Sequence, residues 1–227
     1  NTQSKELINR NFPSVIWIKG PQNGPGANRN NAANIASNEW LLFIDDDCYV
    51  KEEFIEAYSE MMEKESINIV EGKIICPDKK NSIFIRQPEN GDGGVLASAN
   101  FAIRKELFDK IGRFDEDLKI MEDIELASRL KYFGANITFC SSAIAYHPAQ
   151  LKKLTYYYHW IFHFKWQILL NYKCGIKDQS SSFLFAGLTT IIGHTTFLIR
   201  ISYHLVTKFD KDRWGMYSFE RFLAWIT

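Results

Sequence analysis

The chain has 227 residues, of which 46% are hydrophobic, so it can bury a core of its own and is not a disordered tail. Its 27 basic residues balance its 27 acidic residues, which excludes a global positive field that would recruit nucleic acid. Four cysteines form no CxxC pair, which argues against zinc and against a disulfide framework and favours a reducing cytoplasm.

The first part of the chain is predicted to form a βαβ unit. Residues 14–20, SVIWIKG, are a β-branched and aromatic run closed by Gly and Pro, which indicates a strand. The alanine-rich segment from Asn30 is typical of a helix. Residues 41–44 are apolar throughout, as in a parallel strand covered on both faces.

The pattern of alternating helices and strands continues to residue 148. Residues 51–65 have helical apolar spacing, residues 67–75 indicate a strand, KELFDKIG and EDIELASRLKYFG indicate helices that end at glycine, and ANITFCSSAIAYH indicates a strand. Residues 149–227 are aromatic-rich and helical in character. We therefore expect an α/β domain over residues 1–148 and a helical region over residues 149–227.

Three consecutive carboxylates, Asp45, Asp46 and Asp47, follow the apolar run 41–44. Ligands of α/β sheets bind outside the carboxyl ends of strands. Crowded like charges favour a divalent cation, and hard oxygen ligands suit Mg²⁺ or Mn²⁺. The alternative is that these residues only cap the helix that begins near Lys51. An EF-hand is a poor fit because Val50 stands where its loop needs glycine.

A second acidic motif, the pair Glu122 and Asp123, lies at a predicted helix start. The alternative to a catalytic role is that the pair only complements the helix dipole. Upstream, Gly91, Gly93 and Gly94 supply a loop able to approach a ligand closely. Downstream, a strand ends with His147, which by itself is as compatible with a structural histidine as with a ligand.

In this order and spacing, four segments resemble the family 2 glycosyltransferases, which have the GT-A fold and use nucleotide-diphosphate sugars. The segments are GPGANRNNAANIASNEWLLFIDDD, SANFAIRKELFDKIGRFDEDL, EDIELASRLKYFGANI and AYHP. The resemblance covers roughly residues 14–148. It implies a GT-A-like fold with a mixed, mainly parallel sheet flanked by helices, followed by a C-terminal helical extension.

The resemblance also implies roles for individual residues. Asp45 and Asp47 frame a DxD element that holds the cation together with His147, and Asp46 lies between them with a less defined part in donor binding. Arg29 and Asn30 match an Arg-Asn pair behind the nucleotide, although Asn28 replaces the commoner alanine. Asp123 matches the general base and Glu122 helps shape the acceptor side. The loop residues on that side are Gly93, Gly94 and Asn100.

One departure from the family is that the usual first strand, helix and acidic second strand have no counterpart before NTQSKELINRN, so we expect an N-terminally incomplete nucleotide site. The implied reaction is inverting, metal-assisted transfer of a hexosyl group from a nucleotide-diphosphate sugar to a glycan or lipid-linked acceptor. A carbohydrate- or nucleotide-binding module without catalysis is the alternative. A glycoside hydrolase, which also pairs carboxylates, gains nothing from a DxD element at a strand end.

The C-terminal region carries a membrane prediction. Residues 156–173 mix aromatic residues with Lys165 and Lys173, a composition suited to a bilayer interface. Residues 183–206 are long enough to suggest a span, but polar residues mark one face: Thr189, Thr196, Arg200 and His204. We expect peripheral association with the inner face of the cell membrane, with packing against the α/β domain or a second chain as the alternative.

Overall fold

The computed structural model describes residues 2–79, 85–86, 88–151 and 164–174. The chain divides into two units, the first of Asn1–Ile74 and Asn90–Ala145 and the second of Ile75–Glu89 and Tyr146–Thr227. The helices are α1 (Thr2–Asn11), α2 (Pro25–Ile35), α3 (Phe54–Met62), α4 (Lys105–Lys110), α5 (Glu122–Tyr132) and α6 (Phe164–Lys173). The strands are β1 (Trp40–Ile44), β2 (Tyr49–Val50), β3 (Ile69–Ile75), β4 (Ile85–Arg86), β5 (Asn100–Arg104), β6 (Thr138–Tyr146) and β7 (Gln150–Leu151).

A five-stranded sheet in the order β1-β5-β3-β6-β2 forms the centre of the first unit. Strand β5 runs antiparallel to both of its neighbours, with Leu42 opposite Ala102 and Glu71 opposite Phe101. Strands β1 and β3, on either side of it, therefore point in the same direction. The resulting sheet is mixed, and in the second unit β4 and β7 form a separate antiparallel pair.

Both faces of the central sheet are buried. Successive side chains along a strand point to opposite faces, so each strand contributes residues to both. One face is covered by α2, α4 and α5, and its strand residues include Leu41, Phe43, Ile69, Phe101 and Ile103. The other is covered by α3, and its strand residues include Val70, Ala102, Cys140, Ala143 and Ala145. The strands predicted at 41–44 and 67–75 are thus confirmed as β1 and β3, but β1 lies at the edge of the sheet and pairs antiparallel with β5 instead of being the predicted parallel strand.

Four phenylalanines pack together on the first face. The ring of Phe43 lies 5.0 Å from that of Phe101, 5.5 Å from Phe108 and 5.4 Å from Phe114, measured between centroids. These tilted and edge-on contacts are the geometry that aromatic quadrupoles favour. The cluster ties β1 and β5 to the turn that leads towards α5.

A neutral polar cluster lies inside the sheet. The fully buried side chain of Asn100 accepts a hydrogen bond from the Tyr58 hydroxyl (2.7 Å) and donates to the carbonyls of Lys73 (3.0 Å) and Ala143 (2.9 Å). A Cβ added at Gly72 would overlap with the Asn100 amide nitrogen and come within 2.7 Å of the Ala143 carbonyl oxygen. Only glycine fits beneath this cluster.

Two expectations about the elements need correction. Residues 14–20 form no strand, because this run finds no strand partner and Val15 and Ile16 are 51% and 73% exposed. The predicted helices near 30, 51–65, 105 and 122 are present as α2 to α5. Strand β5 is an additional element, since its sequence follows a glycine-rich stretch and leads directly into α4.

Within the residues that the structure describes, no helix combines the length and the hydrophobicity that a bilayer crossing requires. The interfacial segment predicted at 156–173 is described only in part, through α6. The segment 183–206 lies outside the described residues.

Candidate active site

Arg29 joins the two acidic motifs. From the middle of α2, its Nη2 donates to Asp45 Oδ1 at 2.7 Å, just beyond the end of β1. Its Nη1 donates to Glu122 Oε1, also at 2.7 Å, at the first residue of α5. The guanidinium carbon lies 5.7 Å from the centre of the Phe114 ring. Segments more than 70 residues apart are thereby brought to one place, and the roles predicted for these residues in donor binding and catalysis stay predictions.

The carboxyl group of Glu122 is largely withdrawn from water. Burial is the main cause that raises its pKa, and the neighbouring charge of Asp123 raises it further. The helix-start N–H of Glu122 itself and the guanidinium of Arg29 act in the opposite direction. Arg29 therefore stabilises the ionised form of a carboxyl group that its surroundings would otherwise keep protonated.

Asp123 is held by backbone donors. Its Oδ2 accepts the N–H of Ser98 at 3.2 Å, and its Oδ1 accepts the N–H of Ile124 at 2.9 Å. Directly before the acidic pair, Met121 has a left-handed backbone with φ of 64°, which is uncommon for a residue with a side chain of this size. The turn at Met121 thus leads directly into α5, whose first two residues are Glu122 and Asp123.

The residues 45–47 form a tight turn after β1. The N–H of Cys48 donates to the carbonyl of Asp45 at 3.1 Å, and this turn leaves Asp46 and Asp47 exposed. Burial first, then the charges of Asp45 and Asp47, raise the pKa of the Cys48 thiol to about 11. The thiol is therefore protonated at neutral pH and is a weak nucleophile.

Asn30, predicted to bind the donor, forms hydrogen bonds with other residues of the protein. Its Nδ2 donates to the carbonyl of Phe114 and to Glu116 Oε1, both at 2.9 Å, and its Oδ1 accepts the N–H of Phe114 at 3.1 Å. These bonds hold the segment before α5 against α2. The geometry gives Asn30 a structural task next to Arg29, and its contact with a donor stays a prediction.

The glycine loop, which we define as residues 90–98, contains Gly93 and Gly94, both with positive φ. A Cβ at Gly93 would come within 2.5 Å of the Phe139 ring, whereas Gly94 faces open space. Asn100, expected on this loop, lies instead in β5 and belongs to the buried cluster with Tyr58. Its amide groups are already hydrogen-bonded, so the structure does not bring Asn100 to the acceptor side.

Two residues that the sequence reading missed organise this loop: Glu71 in β3 and Asn90 at the loop's start. Glu71 is fully buried and accepts hydrogen bonds from the N–H groups of Gly94 (2.6 Å) and Leu96 (2.9 Å). Asn90 donates to Glu71 at 3.0 Å and to the carbonyl of Gly72 at 2.9 Å. A signal was present, because a glutamate inside the run INIVEGKII is out of place in a buried strand.

His147 belongs to the second unit, where its N–H donates to the carbonyl of Ile75 at 2.9 Å. Its side chain is buried, and Nδ1 lies 3.1 Å from the carbonyl oxygen of Pro148. Donation from Nδ1 to that oxygen selects the tautomer with the lone pair on Nε2, the form of imidazole that a metal ion binds. The assignment of His147 as a ligand stays a prediction.

The donor set after β1 suits a hard divalent cation. Asp46 and Asp47 present exposed carboxylates, and oxygen ligands of this type are those that Mg²⁺ and Mn²⁺ bind. One oxygen of Asp45 is engaged by Arg29. Coordination of a cation by Asp45 and Asp47 stays a prediction.

Comparison with known proteins gives a family match and a related sequence. The family described as "Glycosyl transferase family 2" matches residues 2–112. A protein of Haemophilus influenzae described as an uncharacterized glycosyltransferase is 26% identical, over 52% of this chain and 45% of that protein.

Similar solved structures share the architecture at low identity. The mannosyltransferase PcManGT from Pyrobaculum calidifontis, in complex with GDP-Man and Mn²⁺, has a TM-score of 0.55 at 13% identity and covers 79% of this chain and 52% of its own. TarS 1–349 from S. aureus has a TM-score of 0.55 at 18% identity, with 75% and 52% covered. GalNAc-T7 with UDP, GalNAc and Mn²⁺ has a TM-score of 0.52 at 16% identity, with 66% and 35% covered.

The mixed sheet with helices on both faces, together with these structural relatives, defines the fold as GT-A. The family match over residues 2–112, the related sequence and the GT-A fold together support a family 2 glycosyltransferase. The chain spans about half or less of the length of the proteins that it matches.

Proposed function

We propose that the protein transfers a hexosyl group from a nucleotide-diphosphate sugar to a hydroxyl group of a glycan or lipid-linked acceptor, with inversion at the anomeric carbon. The observation that carries this proposal is the Arg29 bridge, which places the turn at Asp45 and the helix start at Glu122 on two sides of one guanidinium. A donor bound at the first motif would present its sugar towards the second.

Asp123 is the proposed general base. The acceptor O–H bond breaks as the oxygen bonds to the anomeric carbon, the proton passes to the Asp123 carboxylate, and the nucleotide diphosphate departs with the electrons of the broken C–O bond. The N–H groups of Ser98 and Ile124 fix that carboxylate in one orientation. Direct attack of the acceptor oxygen on the anomeric carbon is a single displacement, which inverts the configuration at that carbon.

Asp47 and His147 are the proposed metal ligands, with Asp45 and Asp46 on the donor side. A divalent cation held there would supply positive charge to the leaving diphosphate. Arg29 keeps Asp45 in place, and Asn30 fixes Arg29's helix against the turn at Phe114. Gly93 and Gly94, in the glycine loop, are the proposed acceptor-side residues.

The test is Asp123→Asn in the full chain, assayed with UDP- and GDP-sugars and Mn²⁺ for released nucleotide diphosphate. Removing a general base should lower kcat by about 10² to 10⁴ fold, while the affinity for donor stays unchanged, because the base acts in the transition state. The matched control, Asp78→Asn, changes an exposed carboxylate in the second unit and should leave kcat unaltered.

Near-normal turnover by Asp123→Asn would remove this residue from the role of base. A parent protein that binds donor by calorimetry but releases no product at any donor concentration would instead support the alternative of a non-catalytic binding module.

We also propose that the region after residue 148 associates peripherally with the inner face of the cell membrane. Support comes from its composition and from α6, where Lys165 and Lys173 flank a run with Trp166. In co-sedimentation with anionic vesicles, the full chain should pellet and the chain ending at residue 148 should stay in the supernatant. Equal partitioning of the two folded proteins would contradict the proposal.

A further inference from the structure

Glu71 is a buried carboxylate that no step of the proposed reaction uses. Its side chain is 0% exposed, and both of its oxygens accept hydrogen bonds, Oε1 from Asn90 and Leu96 and Oε2 from Gly94. A buried carboxylate is costly to the folded state unless hydrogen bonds replace its water. A residue kept under such conditions needs a task that an apolar side chain at this place in β3 could not perform.

That task is visible in the donors, which all belong to the glycine loop. Gly94 and Leu96 have positive φ values of 93° and 53°, so their N–H groups point where no regular strand or helix supplies an acceptor. The carboxylate of Glu71 supplies one to each of them. The side chain of Leu96 is fully buried beneath the loop. The loop is therefore fastened to the sheet through Glu71.

The same loop is fastened to α5 at its other end. Two residues after Leu96, the N–H of Ser98 donates to Asp123 Oδ2 at 3.2 Å. From the last turn of α5, Lys131 Nζ donates to the carbonyl of Gly94 at 2.8 Å. The segment 94–98 thus connects the Glu71 carboxylate directly with the Asp123 carboxylate through backbone N–H groups.

We propose that Glu71 is a positioning residue: through residues 94–98 it places the Ser98 N–H and hence the carboxylate of Asp123. The inference rests on the proposed function and deepens it, since it assigns part of the base's orientation to a residue that the acceptor never touches. A small displacement of a reacting group can lower a rate by about 10² fold.

The main test is Glu71→Gln. Whichever way the amide lies, its nitrogen faces at least one N–H of the loop and loses that hydrogen bond. With donor and acceptor varied separately, kcat should fall about 10 to 100 fold, whereas the KM for donor should change by less than about 2 fold. A parallel loss of donor affinity, or an unchanged kcat, would overturn the proposal.

A second variant perturbs the link from the loop side. Gly94→Ala has open space for its methyl group, but a φ of +93° strains any residue with a Cβ. It should reproduce the kcat effect of Glu71→Gln without altering β3. The matched control is Gly134→Ala, which has open space and a φ of +80° at the end of α5 and should leave kcat unchanged. Equal effects of the two alanines would count against the proposal.

Amide hydrogen exchange separates this inference from the proposed function. In Glu71→Gln, the Ser98 amide should exchange at least about 10 fold faster than in the parent, while the β5 amides, such as that of Ile103, keep their rates. If the parent transfers no sugar, the proposed function fails, yet this measurement still decides the coupling. An unchanged Ser98 rate, or equal acceleration of all amides, would refute the positioning role.

Discussion

Two clusters of polar side chains in the first unit satisfy their hydrogen-bonding groups in different ways. At the end of the sheet, Arg29 satisfies Asp45 and Glu122 through charged hydrogen bonds. Inside the sheet, Tyr58 and Asn100 satisfy one another and two backbone carbonyls through neutral ones. Both link distant segments, but only the first responds to proton concentration.

The difference follows from the groups involved. Burial, above all, raises the pKa of Tyr58, so its hydroxyl keeps its proton at every pH at which the protein would work. Burial also raises the pKa of Glu122, and the charge of this carboxyl group, unlike the Tyr58 hydroxyl, depends on pH. The cluster of Tyr58 and Asn100, called the inner cluster below, thus keeps one charge state. The cluster around Arg29, called the outer cluster below, changes its charge with pH.

The largest expected effect comes from filling the space under the inner cluster. Gly72→Ala would place a Cβ within 2.7 Å of a backbone carbonyl and nearer still to the amide of Asn100, so the sheet itself must shift. We expect the free energy of unfolding to fall by about 3 kcal/mol, measured by urea denaturation. Gly91→Ala, which meets nothing within 4 Å, is the control and should differ by less than about 0.5 kcal/mol. Equal stability of both variants would show that the cluster tolerates rearrangement.

The next effect tests the outer cluster. Arg29→Met keeps the length of the side chain but leaves Glu122 buried without a cation, which should lower the free energy of unfolding by about 2 kcal/mol at pH 7.5. Lys105→Met, which breaks the more exposed pair with Asp109, is the control and should lower it by less than about 1 kcal/mol. Similar losses for both would show that the burial of Glu122 does not matter.

The pH dependence of that loss has a definite sign. A carboxyl group whose folded-state pKa is raised binds its proton more tightly in the folded protein, so its contribution is most favourable in acid and is lost as the pH rises through that pKa. Removing Arg29 raises the pKa of Glu122 further. The deficit of Arg29→Met should therefore be largest at neutral pH and shrink as the pH falls through the raised pKa of Glu122, below which the carboxyl group is protonated. A deficit that grows in acid would contradict this account.

The smallest effect separates the two clusters most cleanly. Tyr58→Phe removes one hydroxyl and leaves the Asn100 Oδ1 without that donor, at an expected loss of about 1 to 2 kcal/mol. Because no group in the cluster titrates near neutrality, the loss should be the same at pH 5 and pH 8. Urea denaturation at both values measures it, and a difference larger than about 0.5 kcal/mol would show that the cluster is coupled to a titrating group.

The sequence predicted much of the framework because its signals are local. The apolar run at 41–44 and the helical spacings in α3 and α5 depend on burial periodicity, and the acidic pairs are visible as motifs. The sequence could not predict which strands pair in the sheet. Strand β5 could not be recognised, since its identity depends on pairing with β1 and β3. The run 14–20 has a strand's composition but no such partner.

The same distinction applies to the site. Arg29, Asp45 and Glu122 were found from the sequence as separate residues, but the contact of the Arg29 side chain with the other two is visible only in the folded structure. Asn100 was assigned to a loop because the residues before it are rich in glycine, and the structure places it in the core instead. Glu71 was legible as an anomaly within a strand, although its partners, located 19 to 25 residues later, were not.

The left-handed backbone at Met121 makes this residue a site where a substitution by glycine should stabilise the protein. Glycine ordinarily weakens a chain, because it adds freedom to the unfolded state. At this position the folded backbone already adopts a conformation that only glycine, and to a lesser degree asparagine, takes without strain. A library designed for higher stability can therefore begin at residue 121, directly before the acidic pair. Glycine, which such libraries usually avoid, is the residue that the backbone favours at this position.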